Sequence, residues 1–191
     1  GYRIKLLAEA WLSEGQLAMH VSPVLVRKSE PLALVRGANN AIQVVGDAVG
    51  ETIYYGPGAG KMPTASAVVA DLIDLAVGRA QRTFQALRLW SDDVPSPTYQ
   101  MAETVRCRYY LRMKVKDQPG VLSEVAATLA NHDISIASVI QHEVPDEMEG
   151  QQVQMVIMTH ETPTKTFRET IAEMDRLDCL AGRSVYFPVA E

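Results

Sequence analysis

The chain has 191 residues, of which 47% are hydrophobic and 21% charged, and its formal net charge is -5. These values are typical of a globular protein with a buried core, in one large or two small domains. The acidic balance, without a basic cluster, argues against nucleic acid as a partner. Asp71 and Asp74 interrupt the longest apolar run, so no membrane partner is expected. The first residue is Gly1 rather than Met, and we expect a piece of a longer polypeptide.

The two cysteines, Cys107 and Cys179, are too few for a disulfide framework and fit a reducing, cytoplasmic compartment. Their positions match neither a Cys-x-x-Cys motif nor a Cys/His zinc pattern. We therefore predict no metal site, and we expect both cysteines to be small buried apolar side chains.

Strands and short helices are predicted for the N-terminal part, in one layered α+β unit. Alternating apolar residues predict a strand over residues 4–10, with a helix as the alternative, and a returning strand from Leu17 that ends near Pro23. His20 lies on the polar face of the second strand, and we expect it to be a solvated surface residue rather than a catalytic one. A short helix over 31–35 and strands over 41–45 and 51–55 follow.

Three glycines, Gly56, Gly58 and Gly60, lie between the last of these strands and a predicted helix over 65–77. Glycine lets another molecule approach the main chain, and the free N–H groups of a helix start favour an anionic or carbonyl ligand. A tight turn without a ligand is the alternative. The loop fails the Walker pattern at positions 55 and 62, and the dinucleotide fingerprint at position 61.

The predicted helix after this loop has an apolar stripe at three- and four-residue spacing, which we expect to be buried. The stripe consists of Ala65, Val68, Val69, Leu72, Leu75 and Ala76. Asp71 and Asp74 are expected on a solvated face rather than as an acid/base pair. Asn39 and Asn40 are expected to hydrogen-bond local backbone. The polar segment 91–97 contains two prolines and predicts a linker at a domain boundary.

The C-terminal part predicts the order βαββαβ, the ferredoxin-like arrangement. Its first strand alternates apolar residues, from Cys107 to Val115, with a basic face that contains Arg108, Arg112 and Lys114. A helix follows, with an apolar stripe formed by Val121, Leu122, Val125 and Leu129. Strands are predicted over 134–144 and 153–157, around a loop at 145–150. A second helix, opened by Thr162-Pro163, directs Phe167, Ile171, Met174 and Leu177 inward, and a last strand covers 184–189.

The run Tyr55-Gly56-Pro57-Gly58-Ala59-Gly60, followed by Met62-Pro63-Thr64-Ala65-Ser66-Ala67-Val68-Val69 and Asp71-Leu72, resembles the homoserine dehydrogenase signature at the end of the catalytic region. The resemblance extends back to Gly1. It implies NAD(P)-dependent interconversion of homoserine and aspartate 4-semialdehyde, on the route to threonine, methionine and isoleucine. It also implies that Gly60 first, and Gly58 second, approach the nicotinamide end of NAD or NADP. The family's nucleotide-binding fold, catalytic Lys and acidic substrate residues precede the segment that matches Gly1. We therefore assign no catalytic residue and expect this chain alone to be inactive.

Residues from about 106 to 189 resemble an ACT-type regulatory domain, on the motif Asp117-Gln118-Pro119-Gly120-Val121-Leu122 followed by Asn131-His132-Asp133-Ile134-Ser135-Ile136. The resemblance implies that copies pair, as a homodimer or homotetramer, and bind a small amino acid at their interface. Threonine is the preferred effector, because the nearby side chains are polar and because the family resemblance implies end-product inhibition. The predicted effector-binding residues are Asp117, Gln118, Gly120, Val121, Asn131 and Asp133. A turn shaped by Pro119-Gly120, with no ligand, is the alternative.

The predicted fold class is thus α+β. A layered sheet-and-helix remainder of the substrate and catalytic domain over 1–90 precedes a linker over 91–105 and a ferredoxin-like ACT domain over 106–191. The favoured function is the C-terminal portion of a homoserine dehydrogenase with feedback regulation. The alternative is a stand-alone amino-acid-sensing module, and the glycine loop argues against it, since a pure sensor needs no nicotinamide contact.

Overall fold

The computed structural model describes residues 1–13, 15–89, 98–141 and 152–190. The predicted linker segment at 91–97 and the predicted loop at 145–150 lie outside these ranges. The chain divides into two compact units, Gly1–Arg27 with Thr98–Glu191 and Lys28–Pro97. This division places the first two strands with the C-terminal residues, whereas the sequence predicted one unit over 1–90.

Strands and helices are numbered separately along the chain. The strands are β1 Tyr2–Ser13, β2 Gln16–Arg27, β3 Asn39–Gly46, β4 Gly50–Pro57, β5 Thr98–Tyr99, β6 Arg106–Lys116, β7 Ile136–Gln141, β8 Gln152–Thr159, β9 Thr162–Pro163 and β10 Val185–Val189. The α-helices are α1 Pro31–Leu34, α2 Lys61–Ala76, α3 Arg79–Ala86, α4 Val121–Asn131 and α5 Thr164–Met174, and a 3-10 turn spans Ala102–Thr104.

The first two strands form a long antiparallel hairpin, with Tyr2 opposite Arg27 and Ser13 opposite Gln16. The strand assignment for residues 4–10 is therefore confirmed over the helix. The predicted end of β2 near Pro23 was wrong, because β2 continues to Arg27. A proline is tolerated where a strand lacks a partner on one side. The described pairing of β2 with β10 involves Leu25 and Val189 and does not reach Pro23.

The C-terminal strands continue the same sheet, in the order β1-β2-β10-β6-β8-β7. Strand β6 is antiparallel to both β10 and β8, and β7 is antiparallel to β8. With α4 after β6 and α5 after β8, the order βαββαβ and the α+β class are confirmed. The predicted helix start at Thr162-Pro163 was too early, because these two residues form β9 against Arg106 and Cys107, and α5 begins only at Thr164.

The core of the first unit lies between this sheet and the two helices. Tyr109, Leu111, Met113 and Val115 of β6 are buried, whereas Arg112 and Lys114 are exposed. Strand period two places alternate side chains on opposite faces, as predicted. The helices contribute Val121, Val125, Leu129, Phe167, Ile171 and Met174 to this core. Leu122 was wrongly included in the buried stripe and is 45% exposed.

The second unit contains α1, the antiparallel hairpin β3–β4, and the helices α2 and α3. The expectation that α2 buries its apolar stripe was wrong, because no residue of α2 is buried. Val68, Val69, Leu72 and Leu75 are between 53% and 63% exposed. Asp74, expected on a solvated face, pairs with Arg79 at 2.9 Å between Oδ1 and Nη1. The described part of this unit thus leaves the apolar side of α2 uncovered, although its spacing is that of a packing helix.

Candidate functional site

The glycine loop, residues 56–60, connects β4 to the start of α2. Gly58 donates its N–H to the carbonyl of Ala38 at 3.1 Å, which holds the loop against the segment before β3. Gly60 is the N-cap of α2 and has φ +130°, a conformation that side-chain-bearing residues rarely adopt. Among the described residues, no side chain caps the amides of this helix. The loop therefore presents a helix N-terminus with bare backbone, an arrangement suited to an anionic or carbonyl group.

Two asparagines hold the loop from the opposite strand. Asn39 donates from Nδ2 to the hydroxyl of Tyr55 at 2.7 Å, and a Cβ added to Gly58 would lie 2.5 Å from Cγ of Asn40. We expected these amides to bond local backbone, and for Asn39 this was wrong, since it bonds across the hairpin. The register of the β3–β4 hairpin would have indicated these contacts, because it places Asn40 opposite Gly56. The close approach of the Asn40 side chain is therefore a structural reason for glycine at position 58.

His20 was expected to be solvated, and this was wrong. It is half-buried, its Nε2 lies 3.0 Å from Oε2 of Glu9, and its ring meets the edge of Trp11 at 5.4 Å between centroids. Glu9 and His20 occupy opposite positions of the β1–β2 hairpin, which explains the pair. The histidine thus has a structural role in holding the two strands together.

The effector loop, residues 117–120, leads from β6 into α4. Gly120 is the N-cap of α4 in the left-handed region, with φ +95°, and no side chain caps this helix. The N–H of Val121 bonds to the carbonyl of Gln118 at 3.4 Å, and Oδ1 of Asp117 accepts from Nε2 of Gln141 at 3.4 Å. Asp117, Gln118 and Gly120 are exposed, whereas Val121 is buried in the core. The loop therefore offers backbone donors at its surface, and Val121 acts as its anchor.

Asn131 and Asp133 lie at the other end of α4. This helix has 11 residues, which at about 1.5 Å per residue separates its ends by roughly 16 Å. Asp133 has φ +55°, and its N–H and that of Ile134 bond back to the carbonyls of Ala130 and Leu129 at 3.0 Å each. These are the bonds of a left-handed helix C-terminus. Within one chain, the structure does not bring the six predicted effector residues together.

In the described ranges, no group of three or more His, Cys, Asp and Glu side chains is placed to hold a metal ion. Cys107 is half-buried and Cys179 buried, and neither forms a disulfide with another described residue. Burial raises the pKa of the Cys179 thiol. In the part of the chain that the structure describes, no helix is long and apolar enough to cross a bilayer.

The structure thus combines a ferredoxin-like βαββαβ arrangement, in which α4 starts at a glycine, with a glycine loop at the head of α2. The family comparison agrees with both parts. Residues 1–73 match the homoserine dehydrogenase family model and residues 109–178 the ACT domain model. The first segment therefore belongs to the homoserine dehydrogenase family, and the second is an ACT domain.

Known relatives extend this likeness over nearly the whole chain. The homoserine dehydrogenase of Neisseria gonorrhoeae is 41% identical over 184 residues, covering 94% of this chain and 41% of its own length. The Pseudomonas aeruginosa enzyme is 37% identical over 194 residues, covering 100% of this chain and 44% of its own. A solved homoserine dehydrogenase from Thiobacillus denitrificans aligns with a TM-score of 0.81 at 38% identity, covering 100% of this chain and 43% of that one. The chain thus spans less than half the length of these relatives.

Proposed function

We propose that this chain is the C-terminal portion of a homoserine dehydrogenase that interconverts L-homoserine and L-aspartate 4-semialdehyde with NAD or NADP. Its place would be the route to threonine, methionine and isoleucine. The observation that carries the proposal is the glycine loop, which lies within the segment that matches the family. Its glycines leave bare main chain at the start of α2, which supports a ligand contact over a simple turn.

The glycine loop fits a nicotinamide contact in two respects. Gly60 exposes bare main chain at the N-terminus of α2, where no side chain occupies the cap. The preceding turn is held in place by the bond from Gly58 to Ala38 and by the contact with Asn40. We propose that Gly60, and secondarily Gly58, orient the cofactor, which would supply or accept the hydride when bound.

The test is NADPH oxidation in the presence of aspartate semialdehyde. We expect saturable turnover from the full-length protein and none from the purified 191-residue chain, because the catalytic Lys and the nucleotide-binding fold are expected upstream. Turnover by the chain alone would contradict this assignment of parts. A full-length protein that binds an amino acid but never turns over would favour the alternative, a sensing module without chemistry.

A homo-oligomer is the quaternary state we propose. One face of the β1–β2 hairpin exposes the apolar side chains Ile4, Leu6, Leu12, Met19 and Val21. Adjacent exposed apolar residues on a sheet face mark an interaction surface, and a second copy related by twofold symmetry can cover such a face. This supports the predicted homodimer or homotetramer.

We further propose that the ACT domain binds threonine at the effector loop. Binding of the carboxylate would use the exposed amides at the start of α4, where the helix dipole favours negative charge. Asn131 and Asp133 lie at the far end of α4, so they would contribute to the same site only from a second copy. The coupling to catalysis is expected to be about 1–3 kcal/mol, as for a typical allosteric pair.

Calorimetry on the full-length protein tests this with threonine, serine, methionine and isoleucine in turn. We expect threonine to give the tightest binding, and Gly120→Ala to weaken it, because φ +95° strains a residue with a Cβ. Gly182→Ala is the matched control, since Gly182 has φ +116° outside the loop and a Cβ there also meets no atom within 4 Å. No heat with any of the four amino acids would refute the regulatory assignment.

A further inference from the structure

A cavity of about 240 Å³ lies in the first unit, and its lining includes no residue of the glycine loop or the effector loop. It opens beside β2 and β10, whose described pairing is confined to Leu25 and Val189. Before that point the two strands are not paired with each other in the described structure, and the cavity lies beside these unpaired stretches. It is lined by His20, Val21, Ser22, Pro23, Val105, Cys107, Tyr109, Thr164, Arg168, Tyr186, Phe187 and Pro188.

One wall of the cavity has a polar atom without a partner. Oγ of Ser22 is buried and makes no hydrogen bond among the described residues. Buried hydroxyl groups in folded proteins nearly always have a protein, water or ligand partner. The missing partner of Ser22 therefore points to a molecule in the cavity.

Two other hydroxyl groups of the lining already donate their protons within the protein. Tyr109 donates its hydroxyl to Oγ1 of Thr164 at 2.9 Å, and Thr164 donates to the carbonyl of Val105 at 2.8 Å. Burial raises the pKa of Tyr109 to about 12, so the phenol stays protonated at neutral pH. Tyr109 is thus neutral, and its ring stacks on Phe167 at 3.8 Å between ring centroids.

Arg168 adds one positive charge to an otherwise largely apolar lining. It lies on α5 and is exposed, and none of the ion pairs found among the described residues includes it. A guanidinium accepts a carboxylate through two parallel hydrogen bonds. The remaining wall, with Val21, Pro23, Phe187 and Pro188, suits a hydrocarbon body.

We propose that this cavity binds a small carboxylate with an apolar tail, the carboxylate on Arg168 and a hydrogen bond on Ser22. At about 30 Å³ for each small group, the volume holds on the order of eight heavy atoms. Ser22 lies in the segment that matches homoserine dehydrogenase, whereas Tyr109 and Arg168 lie in the ACT match. A ligand here therefore contacts both matched segments at once and is placed to couple them. The proposal is independent of the dehydrogenase activity and of threonine binding.

Calorimetry on the full-length protein with 4-methylpentanoate, a carboxylate of the right size, tests the site. The neutral 4-methylpentanamide is the matched probe, and we expect it to bind at least about tenfold more weakly, since a hydrogen bond to a charged group is the stronger kind. Arg168→Gln should remove the preference for the acid over the amide, and Ser22→Ala should weaken binding of the acid several-fold. Arg176→Gln, which replaces an arginine outside the cavity lining, is the control and should change nothing.

Three results would overturn the proposal. They are no heat with the acid in the folded wild-type protein, equal affinity for acid and amide, and acid binding that survives Arg168→Gln unchanged. Because Arg168→Gln also removes a charge from α5, Arg168→Lys provides a second variant, which should keep the preference for the acid at reduced affinity. Threonine binding measured in parallel should be unaffected in all three cavity variants, which separates this site from the effector loop.

Discussion

Replacing Gly60 with valine in the full-length protein is expected to lower turnover on the order of 100-fold, the effect of a misplacement of about 1 Å at a reacting centre. Gly60 has φ +130°, and the branched side chain would both strain this conformation and fill the space at the head of α2. The measurement is steady-state NADPH oxidation with aspartate semialdehyde, together with a cofactor titration. The titration shows whether cofactor affinity falls together with turnover.

The loop itself supplies the control. Gly56→Ala places a Cβ where no atom lies within 4 Å and where φ is not positive, so its activity should stay close to wild type. Gly58→Ala should fall between the two, because the new Cβ displaces the Asn40 side chain without straining φ. A folded Gly60→Val protein with unchanged kinetic constants would remove the loop from the site.

Truncating Leu129 to alanine is expected to cost about 2–5 kcal/mol in the free energy of unfolding, the usual range for a fully buried leucine. Leu129 is 0% exposed and packs in the core between α4 and the sheet. The removed methyl groups leave a cavity that the close-packed core around α4 fills only in part. Urea unfolding, followed by circular dichroism, measures the change.

Leu122→Ala is the matched control on the same helix. Leu122 is 45% exposed, so the same truncation should cost less than about 1 kcal/mol. Equal losses for the two variants would show that α4 does not bury Leu129 against the sheet. Thermal unfolding of both proteins gives an independent check.

The C-terminal elements were predicted well because their patterns are local. Apolar and polar residues alternate strictly along strand β6, and α4 and α5 bury residues at helical spacing. The period of the apolar residues alone therefore predicts the inward face of each element. The same rule failed for α2, whose stripe has the right spacing but remains exposed in the described structure. Burial requires a partner surface, and spacing cannot show whether one is present.

The candidate site shows a different limit of sequence reasoning. The glycines of residues 56–60 were recognised from the sequence, but the contact between Gly58 and Asn40 depends on the register of the β3–β4 hairpin. The effector residues were grouped because their two motifs resemble one family. Counting the 11 residues of α4 would have shown that Gly120 and Asp133 cannot meet within one chain. The cavity beside Ser22 involves segments far apart in sequence, and no local pattern indicates it.

The pairing of β2 with β10 also bears on synthesis. Leu25 leaves the ribosome before its partner Val189, which is made only after the second unit and the other ACT strands. Until then the edge of β2 that pairs with β10 at Leu25 is open, the kind of edge on which nascent chains associate wrongly. Closing so long a loop is also slow. A ribosome stalled before β10 would therefore release an aggregation-prone product, and chaperone binding should persist until β10 is complete.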